Sequence, residues 1–253
     1  MRGRLIVLLG ALLLLAAGCR LDVDVDVTMA SDGSGSITVT AVADQELVAQ
    51  APGLADDLHL DDFRNVGWVV QGPTPTDGGG LQVVVTHDFD SPDEANALLA
   101  SLNGADGPFQ GLSLTRTVDG SKVTFGADGA LQLVGGVDAF SDDYVASLGA
   151  GTPFAAALAA SGQPLTDELG ITLSITLPKE PDTNGDLTDG VASWQAPVDG
   201  SSATVQATAT SNPSNTGKRL LALLALAVLV GWIAVSAAFI VYVVRHRRPT
   251  LTR

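Results

Sequence analysis

Cysteine and histidine are scarce in this sequence, and their scarcity bears on catalysis. The chain of 253 residues has one cysteine, Cys19, and three histidines. Only His59 and His87 lie outside the terminal segments, and their spacing does not favour a metal site with nearby aspartates. No serine stands in a Gly-x-Ser-x-Gly pattern. The sequence therefore predicts no catalytic residue and a protein that is not an enzyme.

Basic residues are also rare outside the two ends. All 28 acidic residues lie between Asp22 and Asp199, while the region from Arg20 to Gly217 has five basic residues and a formal net charge of −23. So acidic a region repels polyanions over roughly a Debye length, about 8 Å at physiological salt. Nucleic acid is therefore excluded as a partner. Binding of anionic lipid headgroups would need a local patch of the surface that is not acidic.

The N-terminal residues have the pattern of an export signal. Arg2 and Arg4 precede an apolar run over residues 5–17, which is too short to span a bilayer comfortably. The run ends in Ala-Ala-Gly-Cys at Cys19, similar to a bacterial lipobox, although leucine is more usual at the place of Ala16. We expect a signal peptide over residues 1–18 and a covalent diacylglycerol on the sulfur of Cys19, with no other cofactor. The alternative is a plain export signal or a free thiol.

A second membrane segment is predicted near the C-terminus. Residues 220–244 carry no charge and are long enough to cross the hydrocarbon core. Four arginines follow in the tail of residues 245–253, which places the tail in the cytoplasm and the domain of residues 19–210 outside. With a linker at residues 211–219, we expect the first strand to rise from the membrane at Asp22 and the last strand to descend to it.

The region between these segments is expected to form mainly strands. Residues 22–29 and 36–42 alternate apolar and polar around SDGSG and predict a β-hairpin. Further strands are predicted at 65–71, 81–89, 112–118 and 122–125, with a loop over 72–80; the valines of residues 83–85 suggest burial on both faces. Three more antiparallel strands are predicted at 171–178, 190–194 and 203–209.

Helices are expected between the groups of strands. SPDEANALLASLNG has an N-cap at Ser91, Pro92 in the first turn and a leucine stripe at helical spacing. Short helical turns are predicted over residues 44–59, broken at Pro52 and Gly53, and two short helices over 140–160. The predicted class is α+β, an antiparallel sheet with a few short helices packed on it, plus the C-terminal transmembrane helix.

The order of motifs resembles one known family. A lipobox followed at once by alternating strand residues and DGSG, then LP…NG…W from Leu177 through Asn184 and Gly185 to Trp194, then a closing membrane helix, is similar to the actinobacterial LppM-type lipoproteins. The resemblance implies an α+β lipoprotein ectodomain at the cell envelope, in a family with no established enzymatic activity, and contact with envelope lipids. The chain departs from the family at Pro178-Lys179, where proline-glycine is usual.

Two acidic groups are candidates for binding a cation. Asp182, Asn184 and Asp186 stand at the first, third and fifth positions of an EF-hand-like loop, but Leu187 and Ser193 replace the glycine and glutamate that such a loop needs. An Asn-Gly hairpin turn fits better. The aspartates at positions 22, 24 and 26 share one face of a strand at intervals of about 6.7 Å, too far apart for one ion. We expect them to face solvent.

Partner binding is the remaining class of function. Phe140, Tyr144, Leu148 and Phe154 are candidates to cover an apolar groove, with core packing as the alternative. The leading hypothesis is a membrane-anchored envelope lipoprotein that binds an envelope lipid or another envelope protein. A structural or scaffold subunit of an envelope assembly is the second hypothesis, and an uncharacterised hydrolase is the third.

Overall fold

The computed structural model describes residues 19–58, 60–103, 107–133, 165–211 and 225–226. The strands of the described part are β1 (Leu21–Met29), β2 (Gly35–Ala43), β3 (Val69–Pro75), β4 (Leu81–Phe89), β5 (Phe109–Asp119), β6 (Lys122–Leu131), β7 (Leu169–Thr176), β8 (Asp182–Thr183), β9 (Asp186–Thr188), β10 (Val191–Gln195) and β11 (Ala203–Ser211). The helices are α1 (Gln45–Gln50), α2 (Leu54–Asp57), α3 (Leu60–Asn65), α4 (Pro92–Asn103) and α5 (Leu165–Glu168).

These strands form two sheets. One has seven strands in the order β3-β4-β2-β1-β7-β10-β9, and the other has four in the order β5-β6-β11-β8. The α+β class with mainly antiparallel pairing is confirmed, with one parallel pair among the described strands, because β7 lies parallel to β1. Parallel neighbours need a long crossover connection, which strand periodicity does not reveal.

The first hairpin forms as predicted. β1 pairs with β2 from Leu21 opposite Ala43 to Met29 opposite Gly35. The turn uses Gly33 at φ 99°, a conformation that favours glycine, and Asp32 accepts from the backbone and side chain of Ser34. These two hydrogen bonds lower the pKa of Asp32.

The helices follow their sequence signals closely. Asp44 caps α1 by accepting a hydrogen bond from the Leu47 backbone amide. The helical turns are interrupted at Pro52 and resume with α2. Ser91 Oγ accepts from the Glu94 amide at the start of α4. Helix α3 was not predicted. β3 starts at Val69 and continues to Pro75, past the predicted end, because a bulge between Gln71 and Thr74 keeps the strand paired with β4.

The larger of two buried apolar clusters contains residues of both sheets. β1 contributes Val25, Val27 and Met29 from its inner face, and β6, β7 and β11 contribute apolar residues of one face. On β4 only Val85 of the three adjacent valines is fully buried, so the expectation of burial on both faces is wrong. The remaining faces of the strands carry the polar side chains.

The direction of β11 follows from the strands before it. β10 runs antiparallel to β7, and its last residue, Gln195, lies opposite Thr172, which pairs with Asp24 near the start of β1. The Ala196 amide also donates to the carbonyl of Ile171. β10 therefore ends near the Cys19 end of β1, and β11 begins after a short connection.

The far end of β11 lies at the other end of β1. Ala209 pairs with Phe125, and Phe125 pairs with Arg116 on β5. Arg116 Nε donates to the carbonyl of Ser31 in the β1–β2 turn at 3.2 Å. β1 and β11 therefore run in the same direction, so the start of β1 and the end of β11 lie at opposite ends of the strands. The expectation that the two strands run in opposite directions, with both chain ends on one side, is wrong.

Several predicted segments fall outside the described residues. They include the signal peptide of residues 1–18, the short helices of 140–160, the tail of 245–253 and all of the span 220–244 except residues 225 and 226. Among the residues that are described, no helix is both long enough and apolar enough to cross a membrane.

Candidate functional site

The candidate lipid-attachment residue Cys19 lies directly before the first sheet. β1 starts at Leu21, two residues later, and the Cys19 side chain is fully buried against Ala43 and Leu47. Burial raises the pKa of the Cys19 thiol, and the negative charges of Asp44 and Glu168 raise it further. A free thiol here would be mostly protonated at neutral pH, which argues against a nucleophilic role.

Arg20 fixes this end of the chain to three neighbours. Its Nε and Nη2 donate to the two carboxylate oxygens of Asp22 at 2.8 and 2.6 Å. Nη1 donates to the carbonyl of Asp167, and the Arg20 carbonyl accepts from the Asp44 amide. The side-chain hydrogen bond with Asp22 raises the pKa of Arg20. Residue 20 is thus bonded to the end of β2 and to the segment before β7, and the charge of Asp22 is paired.

Glu168 is the one buried charged residue of the described part of the chain. It ends α5, directly before β7, and is fully buried. Neither of its carboxylate oxygens has a hydrogen-bond partner among the described residues. Its burial could not be predicted from the sequence, because an acid in TDELG is typical of a solvated first turn.

The aspartate stripe of β1 lies on the outer face of the seven-stranded sheet, as predicted. The alternate residues Val25, Val27 and Met29 are buried, while Asp26 is exposed. Partial desolvation, followed by the charge of Asp24, raises the pKa of Asp26, and a hydrogen bond from Ser174 offsets part of this. The described residues contain no group of three histidine, cysteine or acidic side chains that could hold a metal.

The calcium candidates are divided between the two sheets. Asp182 pairs with Thr208 in the four-stranded sheet, and Asp186 pairs with Ser193 in the seven-stranded sheet. Asn184 stands between them and does not lie in the predicted Asn-Gly hairpin turn. The hairpin of this region instead joins β9 to β10 through Asp189 and Gly190, both at positive φ.

Asn184 is a link between the sheets. Its Oδ1 accepts from Trp194 Nε1 and from the Gln206 amide, both at 2.9 Å, and its Nδ2 donates to the carbonyl of Thr204 at 2.9 Å. Trp194 belongs to β10 and Gln206 to β11. The amide oxygen that a calcium ion would need is therefore already accepting two hydrogen bonds.

The groove candidates Phe140, Tyr144, Leu148 and Phe154 lie outside the described residues. Two other grooves are present in the described part. One of about 260 Å³ lies between the end of α4 and the start of β5, and is lined by Leu99, Phe109 and Leu112 among others. The second, of about 350 Å³, is polar and contains Asp128, Asp182 and Gln206.

The contacts of His87 are mainly packing contacts. Its ring packs edge-on against Trp68, with ring centres 5.3 Å apart, and Trp68 packs in turn against Phe63. Nδ1 of His87 forms a hydrogen bond with the carbonyl of Asp88. His59 lies outside the described residues. These contacts make the half-buried His87 part of an aromatic cluster around the buried Trp68.

Comparison with known proteins gives one similar solved structure. No family model matches the chain, and no curated protein sequence matches it. The chain is similar to the folded domain of the LppM protein of Mycobacterium tuberculosis, determined by NMR, at 18% identity and a TM-score of 0.39. The similarity covers 79% of this chain and 94% of that one.

Proposed function

We propose that this chain is a non-enzymatic lipoprotein of the cell envelope, with a diacylglycerol on Cys19, a membrane helix over residues 220–244 and an extracytoplasmic acidic domain between them. The observation that carries the proposal is the direct connection of Cys19 to the sheet. Arg20 is bonded to Asp22 and Asp167, and β1 begins at Leu21. A lipid on Cys19 would hold the domain at the membrane with no linker in between.

The burial of Cys19 constrains when the lipid is added. The sulfur lies in a cluster with Ala43 and Leu47 that has no room for a diacylglycerol. Lipid transfer must therefore precede closure of this end of the sheet, or the Cys19 side chain must leave the cluster. In either case the acyl chains lie outside the folded domain.

Metabolic labelling with a fatty-acid analogue tests the anchor. The wild-type chain should incorporate the label, and the Cys19→Ala variant should not. The variant should remain in the membrane fraction, because a transmembrane helix is sufficient for stable attachment. Label that persists in Cys19→Ala would refute the assignment of the modified residue.

For the partner, we propose another envelope protein that docks along β3. This strand is an edge of the seven-stranded sheet as described, and Val69 on it is 62% exposed. Val66, just after α3, is 67% exposed. Exposed apolar residues beside unpaired strand groups are typical of protein contact sites. Of the two described grooves, that of about 260 Å³ is below the usual volume of ligand sites, roughly 300–1,000 Å³, and that of about 350 Å³ is polar, so they favour a lipid ligand less.

Photo-crosslinking in intact cells tests this partner. A photoreactive residue at Val69 should give a protein adduct, whereas the same residue at Asp119, in the exposed β5–β6 turn, should not. A lipid adduct at Val69 would instead support the envelope-lipid alternative. Absence of any adduct, or equal adducts at both positions, would count against a docking surface on β3.

A further inference from the structure

Two structural demands meet in the pair Asn184-Gly185. Position 184 needs an amide, because its side chain joins β10 to β11 through three hydrogen bonds. Position 185 needs a glycine, because an added Cβ would lie 2.5 Å from Trp194 Cε2 and 2.7 Å from the carbonyl oxygen of Ser193. The fold therefore specifies Asn-Gly at a place where no hairpin turn forms.

The same pair deamidates readily in an unstructured chain. The backbone nitrogen of the glycine loses its proton and attacks Cγ of the asparagine, the Cγ–Nδ2 bond breaks, and ammonia leaves. Water then opens the resulting succinimide ring to aspartate or, with one more carbon atom in the main chain, to isoaspartate. Glycine favours the attack because it has no side chain to hinder it and leaves the backbone free to rotate.

Hydrogen bonds hold the asparagine amide away from this reaction in the folded chain. Oδ1 of Asn184 accepts from Trp194 Nε1 and from the Gln206 amide, both at 2.9 Å. Nδ2 donates to the Thr204 carbonyl at 2.9 Å. Because Cγ carries both of these atoms, it cannot turn toward the Gly185 nitrogen without breaking the side-chain hydrogen bonds.

The attacking nitrogen is held as well. Gly185 N donates to Thr183 Oγ1 at 3.0 Å, and the same hydroxyl donates to the carbonyl of Gln206 at 2.8 Å. The proton that must leave Gly185 is thus engaged with an oxygen that β11 positions. Loss of this proton is less favourable while the bond is intact, because the resulting anion would face a lone pair of that oxygen.

Burial contributes less to this protection than hydrogen bonding. Asn184 is exposed and Gly185 is half-buried, so water reaches the pair. Trp194, which is itself buried, lies against Gly185 and leaves Asn184 exposed. The hydrogen bonds to β10 and β11 therefore decide the rate at this site.

We propose that Asn184-Gly185 is a site of spontaneous deamidation that the link between the two sheets keeps closed. When β11 separates from Asn184, Cγ and the Gly185 nitrogen are released together and the succinimide forms. The reaction is irreversible because ammonia is lost. Aspartate at position 184 has no donor for the Thr204 carbonyl, and isoaspartate lengthens the main chain before β9. A chain that has opened here therefore does not regain the same link.

Deamidation of the full chain, purified in detergent from membranes, tests the inference. The chain is incubated at mildly alkaline pH with and without guanidinium chloride, and Asn184 is followed by peptide mapping that separates aspartate from isoaspartate. Conversion in the folded chain should be at least about tenfold slower than in denaturant, equivalent to an opening free energy of about 1.4 kcal/mol. Asn103-Gly104, the other Asn-Gly pair of the sequence, should convert as fast as Asn184 in denaturant. Equal rates at Asn184 with and without denaturant would overturn the inference.

Substitutions on the two sides of the link sharpen the test. Thr183→Val removes the acceptor of the Gly185 nitrogen, and Trp194→Phe removes one donor to Asn184 Oδ1 while it keeps an aromatic ring. Each should raise the rate in the folded chain about two- to tenfold, as expected for one lost hydrogen bond. Thr188→Val, on exposed β9, is the matched control and should convert like the wild type. Unchanged rates in both folded variants, or an equal rise in the control, would contradict gating by the link.

The wild-type comparison still decides the matter if a variant does not fold. Asn184→Asp, a stable form of one product, then tests the consequence. It keeps acceptor oxygens for Trp194 and Gln206 but cannot donate to the Thr204 carbonyl, so its midpoint of urea unfolding should lie below that of the wild type. An unchanged midpoint would show that deamidation leaves the link intact and would overturn this part of the inference.

Discussion

The two sheets hold their chain ends in different ways. The seven-stranded sheet starts next to Cys19, where β1 is paired with β2 on one side and with β7 on the other. The four-stranded sheet ends at Ser211, which pairs only with Val123, because β8 covers β11 only at Ala207 and Thr208. The N-terminal end is therefore held on two sides and the C-terminal end on one.

The two ends also lie at opposite ends of the strands, which constrains a doubly anchored chain. β1 spans about 26 Å. The eight residues from 212 to 219 reach about 28 Å fully extended, but about 16 Å as a flexible coil. If both predicted anchors are in the membrane, the strands are expected to lie along its surface, because an upright domain would need an almost fully stretched linker.

Cutting the link between the sheets should have the largest effect. Asn184→Ala removes three side-chain hydrogen bonds that join β10 to β11, and it leaves Trp194 Nε1, in a mostly buried side chain, without its acceptor. We expect a loss of about 2 kcal/mol in the free energy of unfolding. Urea unfolding of the full chain in detergent, followed by tryptophan fluorescence, measures it.

Asp182→Ala is the matched control, since Asp182 is also exposed and was also a calcium candidate. It should change stability little, with or without added calcium. Equal losses of stability in both variants, together with a wild type that calcium stabilises and variants that it does not, would show that the loop binds the ion. The role of Asn184 as a link would then be wrong.

Loosening the contact at the β1–β2 turn should have a smaller effect. Arg116 bonds the Ser31 carbonyl, and its Cδ lies so close to Gly33 that an added Cβ there would be 2.9 Å away. Arg116→Ala removes the hydrogen bond and the packing of the stem, for an expected loss of about 1 kcal/mol. The same unfolding measurement applies.

Arg116→Lys separates the two contributions, because it keeps most of the stem. It should recover part of the stability. If Arg116→Lys is as unstable as Arg116→Ala, the whole effect belongs to the hydrogen bond with Ser31. If Arg116→Ala is as stable as the wild type, this contact does not join the sheets.

Local signals predicted the local elements of this fold. Alternation around DGSG predicted the first hairpin, and Ser91 with Pro92 predicted α4. The parallel position of β7 beside β1 could not be predicted, because periodicity specifies the faces of a strand and not its neighbour. Asn184-Gly185 has the composition of a hairpin turn, but hydrogen bonds to residues distant in sequence place it between two sheets.

The candidate site was likewise predicted only in part. Cys19 stays a prediction that rests on a contiguous motif, the lipobox, whereas the outward position of the β1 aspartates followed from alternation. Glu168 could not be predicted, because its burial depends on the pairing of β1 with β7, across more than 140 residues. The ion pair of Arg20 with Asp22 could have been predicted, because the two residues are two positions apart on one face of the strand.

The orientation of the two ends can be compared directly. If Cys19 is lipidated, Ser31→Cys or Thr166→Cys introduces a unique thiol at the far end or the Cys19 end, both at exposed positions. Energy transfer from these probes to acceptor lipids should be similar for a domain that lies along the membrane. Twelve glycine and serine residues inserted after Ser211 should let the Ser31 probe move away by up to about 26 Å. A low signal from Ser31 before the insertion would contradict the lying orientation.

The smallest expected effect concerns Asp26, on the outer face of the seven-stranded sheet. Partial desolvation and then Asp24 raise the pKa of Asp26 above its unfolded value of about 3.9, so between these values the folded chain binds more protons than the unfolded one. Stability is therefore lost as pH rises through this window. Asp26→Asn should be more stable than wild type at pH 7, by ~0.5 kcal/mol or less because solvent screens the group, and no more stable at pH 3. Thermal unfolding at both pH values measures this, and an equal gain in Asp128→Asn, on the four-stranded sheet, would trace the effect to net charge instead.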